Sequence, residues 1–259
     1  MMELNTLEEK EREKIEDLLT SLEKKKNEII VHKTTLLNIR QYASEFQTFF
    51  SHQTDGKQLD IAFIPKDNTI AATSGGDGSH KIIIIDMKTR KFSRLISVTY
   101  SYYEVAYNDS NLITCARFKG LNILTNGSSE VINEIKIKEM SSFSYVAAFD
   151  KVLYCTNRAH RTVTCSDITG TEVWTFKDES VMKFPRGITV DDDGNVYIVN
   201  QSSHSVIGIS SDGKRCLDLL NAKDGLYNPK VLYYDRSTNQ LLVGNESETA
   251  LLFQVESKT

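Results

Sequence analysis

Histidine and cysteine are the side chains of this sequence best suited to metal binding or nucleophilic work, and their spacing is the first test of function. The five histidines fall at positions 32, 52, 80, 160 and 204, and the four cysteines at 115, 155, 165 and 216. No two cysteines form a C-x2-C pair, and no second histidine or cysteine lies at helical spacing from His32. His160 and His204 alone sit in comparable loops, each after a β-rich run, where two loop histidines could contribute to a metal in a channel. Such a site wants a third ligand, and Cys155 and Cys165 lie inside apolar runs that read as strands. The cysteines are therefore expected as buried free thiols of a reducing compartment. Neither a phosphate-cradling glycine loop nor a nucleophile elbow is present. No catalytic residue, metal or cofactor is assigned, and the expected role is binding.

Binding needs only anchors on an exposed face, and aromatic and arginine side chains usually carry most of its energy. The candidates are Tyr102, Tyr103, Arg158, His160, Arg161, Arg186 and His204. Tyr102 and Tyr103 have a competing role as packing residues, and Arg186 as the brace of a turn. Trp174, in Glu172-Val173-Trp174-Thr175-Phe176, reads as packing on an outer strand.

Two kinds of element must position these residues. Residues 1–52 contain neither glycine nor proline, and their charges are dense and mixed. Apolar side chains recur at alternating steps of three and four: Ile15, Leu18, Leu22, Ile29, Leu36, Ile39, Ala43, Phe46 and Phe50. A seam repeating about every 3.5 residues keeps facing a partner along a supercoil, so the spacing predicts a long coiled-coil helix. A lone helix of this kind leaves its stripe bare, and a second copy of the chain is the expected cover. Lys25 and His32 interrupt the seam, either as a solvated stretch or as residues that set register.

From residue 58 to 259 the period changes to short β-rich runs separated by Asp, Asn, Gly and Ser turns. The clearest unit is Gly187-Ile188-Thr189-Val190, the turn Asp191-Asp192-Asp193-Gly194-Asn195, then Val196-Tyr197-Ile198-Val199. Third and fourth runs follow at Ser205 and Cys216. The same order begins at Ile61, Val105, Val146 and Val231, and the second runs start near 69, 112, 152, 196 and 241. Four short strands repeating about every 40 to 45 residues predict propeller blades. The acidic turns are explained by strand connection alone, and none has the spaced carboxylates of an EF-hand.

The stretch Phe184-Pro185-Arg186-Gly187 through Asn200 resembles an NHL repeat, with Asn200 where that repeat usually carries Asp; Tyr227-Asn228-Pro229-Lys230 opens the next unit in the same style. A coiled coil followed by such repeats is similar to the C-terminal part of a tripartite-motif protein. The resemblance implies a mainly β fold: an NHL-type β-propeller preceded by a coiled-coil α-helix. It implies a non-catalytic scaffold of the ubiquitin pathway. These residues have no counterpart of the family's RING and B-box zinc domains, as in a fragment or a shortened relative, and ligase activity that depended on the RING would lie outside them. Family propellers usually have six blades. Five units are visible here, so a five-bladed ring, an open six-bladed arc and a ring lacking a piece all stay open. An N-terminal strand would normally finish the last blade, and residues 46–53 or Lys57-Gln58-Leu59 are the candidates.

The formal net charge of −4 supplies no global attraction to phosphate or anionic lipid. A signal peptide and a run of about 18 apolar residues are both lacking, so a cytoplasmic protein is expected. The leading expectation is a protein partner on the propeller loop face, with a homodimer formed through the helix. RNA recognition through Lys183, Arg186, Arg158 and Arg161 is the second reading, and a metal-dependent lyase or hydrolase the third.

Overall fold

The computed structural model describes residues 59–74, 81–100, 102–116, 119–125, 130–137, 140, 144–246 and 249–255. The expected helix over 1–52, with its seam from Ile15 to Phe46, lies outside these residues, as does the closing segment 46–53.

The described residues form five antiparallel sheets, each a simple meander. Blade one comprises β1 (Leu59–Ile64), β2 (Thr69–Ser74), β3 (Lys81–Asp86) and β4 (Lys91–Ser97). Blade two comprises β5 (Tyr102–Asn108), β6 (Asn111–Ala116), β7 (Gly120–Thr125) and β8 (Val131–Ile135). Blade three comprises β9 (Val146–Phe149), β10 (Val152–Asn157), β11 (Thr162–Asp167) and β12 (Glu172–Lys177). Blade four comprises β13 (Pro185–Val190), β14 (Val196–Asn200), β15 (Ser205–Ile209) and β16 (Cys216–Leu220). Blade five has three described strands, β17 (Pro229–Asp235), β18 (Gln240–Asn245) and β19 (Ala250–Gln254). The chain is thus a five-bladed β-propeller over these residues. Leu59 belongs to the innermost strand of blade one, which corrects its expected place in a strand that finishes the last blade.

Burial follows position in the blade. Ile82, Ile83, Ile84 and Ile85 of β3 are all buried, as is every residue of β14, because a middle strand is covered on both sheet faces. Outer strands alternate or stand open, as in β12 and β16. One face of blade one, with Ala62, Ala71, Ile82, Ile84 and Ile96, packs on Tyr102, Val105, Leu112 and Leu124 of blade two. Similar clusters join blades two and three, three and four, and four and five. Each fully buried aliphatic side chain contributes about 1.5–3 kcal/mol. Among the described residues no cluster joins blade five to blade one, and Val231, Tyr233 and Leu252 stand exposed on the far face of blade five.

Turn chemistry supports the meanders. Asp109 and Ser110 both have positive φ, the geometry of a two-residue hairpin between β5 and β6. In the acidic turn of blade four, Asp191 Oδ1 accepts the backbone N–H groups of Asp193 and Asn195 at 3.0 and 2.8 Å. Its Oδ2 accepts the Asn195 amide and the Tyr197 hydroxyl at 3.0 and 2.9 Å. The carboxylate is filled by hydrogen-bond donors, so it closes the turn.

Trp174 fastens blade three to blade four. Its indole N–H donates to the Ser211 carbonyl at 2.9 Å, and its ring tilts against Tyr154 with centroids 6.1 Å apart. Gly213, at φ +72°, lies beneath that ring, and a Cβ there would sit 2.5 Å from Trp174 Cδ2. Gly213→Ala is expected to cost about 1–3 kcal/mol through overpacking and left-handed strain. A thermal melt will show the drop, whereas Lys214→Ala in the same turn should stay within about 0.5 kcal/mol of the wild type.

Candidate binding site at the axial mouth

Four antiparallel strands return the chain to the end of the axis from which it set out. Innermost strands therefore run in one direction, and equivalent positions ring the axis at one level near the upper end. The residue before each apolar run is Asp60 in β1, Glu104 in β5, Tyr145 ahead of β9, Arg186 in β13 and Lys230 in β17. Glu104, Arg186 and Lys230 occupy places where pairing with the second strand slips in register: between Tyr102 and Val105, between Pro185 and Ile188, and between Pro229 and Val231. A bulge releases a residue from the ladder and re-aims its side chain. Gly187 allows the neighbouring strand to come close, since a Cβ there would lie 2.9 Å from the Lys230 carbonyl oxygen.

On one side of the mouth two carboxyl groups share a site. Asp60 Oδ2 accepts the Val105 N–H at 2.7 Å. Glu104 is 7% exposed, and burial together with the adjacent Asp60 pushes its pKa well above the usual carboxyl range. Burial raises Asp60 as well, against the hydrogen bond from Glu104. Like charges this close do not both ionise, so Glu104 keeps the proton and donates it to Asp60. The positive charge of Arg186 opposes the rise in Glu104 and hydrogen-bonds the Tyr145 hydroxyl, whose pKa burial still pushes up to about 12.

The other side is cationic and aromatic. The Arg158 guanidinium lies 3.6 Å from the Phe184 ring centre, and that of Arg186 lies 6.0 Å from the same ring. Burial and the nearby Arg186 charge lower the Arg158 pKa. In the next blade Tyr227, 59% exposed, stacks on His204 at 5.4 Å with ring planes 5° apart. His204 Nδ1 accepts the Asn228 N–H at 2.9 Å, so that nitrogen is committed to the backbone. Lys230 pairs with Glu246 at 2.7 Å.

Two asparagines hold this frame. Asn200 Oδ1 accepts the N–H groups of Lys183 and Phe184, both at 2.9 Å, and its amide donates to the Val181 carbonyl at 2.6 Å. Asn245 does the same in blade five, accepting from Tyr227 at 3.0 Å and donating to Gly225 at 3.1 Å. An amide serves here where a carboxylate could not, because one side chain must both accept and donate.

The structure brings Arg158 and Arg186 together over Phe184 and places His204 beside Tyr227 in the next blade. Tyr102 is a correction: it is 1% exposed, packed between blades one and two, and its hydroxyl accepts the Asn122 amide at 2.8 Å. The Tyr103 side chain lies outside the described set. His160 and Arg161 are exposed in the turn between β10 and β11. Arg161 lies 3.8 Å from Glu179, and His160 lines an open groove of ≈ 540 Å³ on the blade-three face with Thr162, Thr164 and Thr175. Among the described residues no three His, Cys, Asp or Glu side chains converge as metal ligands. The cysteines are free, and burial pushes Cys165 and Cys216 to about 11, leaving thiols rather than thiolates. Asp60, Glu104, Tyr145, Lys230, Phe184 and Tyr227 escaped the sequence reading. The recurring polar residue before each apolar run was the available signal.

No family model matches the sequence, and no curated protein matches it. Solved structures share the fold. A structural-genomics protein of unknown function from Bacteroides thetaiotaomicron VPI-5482 superposes with a TM-score of 0.61 at 14% identity over 74% of this chain. The computationally designed protein Ika8 superposes at 0.53 with 11% identity over 75% of it. This chain covers 57% of the length of each. No helix among the described residues is long and apolar enough to cross a membrane.

The acid pair makes stability depend on pH with a defined sign. The folded chain keeps a proton on Glu104 at pH values where the unfolded chain, near the ordinary value of 4.5, has lost it. Stability from this site is therefore complete below about pH 4.5 and is lost as pH rises toward the folded pKa. Glu104→Gln keeps a donor to Asp60 without the titration. Thermal melts from mildly acidic to mildly alkaline pH should fall for the wild type and stay flatter for the variant.

Proposed function

We propose that this propeller is a non-catalytic binding platform that docks a protein over the upper mouth of blades three to five. The observation that carries the reading is the pair of stacked anchors on adjacent blades, Arg158 on Phe184 and Tyr227 on His204. Stacking fixes both side chains before a partner arrives, which reduces the ordering cost of association. The NHL-like motif runs through the same blade and supports a likeness to tripartite-motif propellers. In that likeness the segment 1–52 joins two copies through its heptad seam, and ligase activity belongs to zinc domains outside these residues. RNA is the second reading. An exposed tyrosine beside cations is a stacking platform for a base, and Lys183 and Arg161 extend the basic surface.

A photo-crosslinking residue at position 227, with a control at the outer-strand position 217, tests the platform in cell extract. Protein adducts from position 227 that are lost with Arg158→Ala are the expected result. Equal labelling from both positions would remove the docking role. A gel shift with single-stranded RNA at low salt separates the readings: retardation that Tyr227→Ala abolishes moves the function to RNA.

A further inference from the structure

We infer that Cys115 and Cys155 are a redox pair, which a peroxide joins into a disulfide that staples blade two to blade three.

The two thiols come from the second strands of neighbouring blades. Alternation along β6 turns Ile113 and Cys115 toward blade three, and alternation along β10 turns Leu153 and Cys155 toward blade two. All four side chains meet in one apolar cluster. Both cysteines are free thiols, each 3% exposed. The Cys115 S–H donates to the Cys155 sulfur, and the Cys155 S–H donates in turn to the Thr156 carbonyl at 3.5 Å. Sulfurs already in hydrogen-bonding contact need only small side-chain shifts to reach the roughly 2 Å of an S–S bond. The backbone beside them is held: the Thr156 N–H donates to the Tyr145 carbonyl at 3.0 Å, and the Thr156 hydroxyl accepts the Tyr145 N–H at 2.9 Å.

The two sulfurs differ in access. Cys155 lines the open groove of ≈ 540 Å³, together with Ile135 and Ile137 from the neighbouring blade's end, and Cys115 is not among its walls. A peroxide is little larger than water and reaches Cys155 from that groove. Burial, the hydrogen bond to Cys155 and the nearby Glu104 and Asp60 hold the Cys115 pKa well above the usual thiol range, so Cys115 keeps its proton. Cys155 therefore reacts first. Its sulfur attacks one peroxide oxygen: an S–O bond forms, the O–O bond breaks, and the thiol proton leaves with the second oxygen as water. The Cys115 sulfur then attacks the sulfenic sulfur: the S–S bond forms, the S–O bond breaks, and the hydroxyl leaves as water with the Cys115 proton. Two thiols lose two electrons, and one peroxide becomes two waters. The bonded residues are 40 positions apart, so the bond closes a loop about one blade long and restricts the unfolded chain.

The test treats the full chain with hydrogen peroxide under native conditions, alkylates the remaining thiols in denaturant, and maps the unreduced digest by mass spectrometry. A peptide linked through Cys115 and Cys155 is expected, with Cys165 and Cys216 alkylated. The oxidised protein should melt about 5–10 °C above the reduced one. Cys115→Ala should leave Cys155 as a sulfenic acid that a 1,3-diketone probe captures, and Cys155→Ala should leave Cys115 unlabelled. Either truncation can loosen the core, so the map of the wild type decides first. Linkage through Cys165 or Cys216, or four alkylated thiols after peroxide, overturns the pair. A linked peptide with an unchanged or lower melting temperature overturns the staple.

Discussion

A meander carrying isoleucine on both faces can hide one face only against another meander of the same kind. That requirement organises everything else in the described chain. It sets the continuous apolar runs of the middle strands, Ile82 to Ile85 in β3 and Val196 to Val199 in β14. It sets the close approach at Gly187, where a side chain would push blade five from blade four. It also gathers the starts of the innermost strands at one end of the axis, where apolar packing gives way to polar chemistry. The mouth is a product of stacking, since no blade contains it and each adds one residue to the ring.

Within that ring charge is sorted by blade. Blades one and two bring carboxyl groups, blade three a tyrosine, and blades four and five an arginine and a lysine. Arg186 couples the two halves, facing Glu104 and Tyr145 on one side and sharing Phe184 with Arg158 on the other. Proton sharing between Asp60 and Glu104 limits the negative charge that the site buries, which lowers the desolvation cost of holding two acids there. Arg158 is left on the solvent side, carried by an aromatic ring.

Much of the fold was legible because propeller physics writes itself as a period. The second runs read near 69, 112, 152, 196 and 241 lie on β2, β6, β10, β14 and β18, within a residue of where each strand begins. Middle strands announce themselves by unbroken apolar stretches, and hairpins by Asp, Asn and Gly at positive φ. Closure was harder to read, since Leu59 looked free to finish the last blade and instead opens the first. The site was only half legible. Arg158, Arg186 and His204 stood out as loop residues of the right type. Tyr102 looked like an anchor, because neighbouring tyrosines do not reveal which one faces inward. Lys230 and Glu104 carried only the signal of a polar residue before an apolar run, because a bulge, which alternation cannot express, turns each out of its ladder.

Among the described residues blade five has a single hydrophobic interface, against blade four, and its far face carries exposed Val231, Tyr233 and Leu252. In a stack whose cohesion is summed over nearest neighbours, a terminal unit with one contact opens at a lower free energy than an inner unit with two. On that contact pattern the amide protons of β17 to β19 are expected to exchange ahead of those of blades two to four. Tyr227 and Lys230 belong to that terminal blade, whereas Arg158 and Phe184 belong to blades held on both sides. A ligand that spans both ends of this gradient must suppress the fraying in order to bind, so its affinity is tied to the cohesion of the stack.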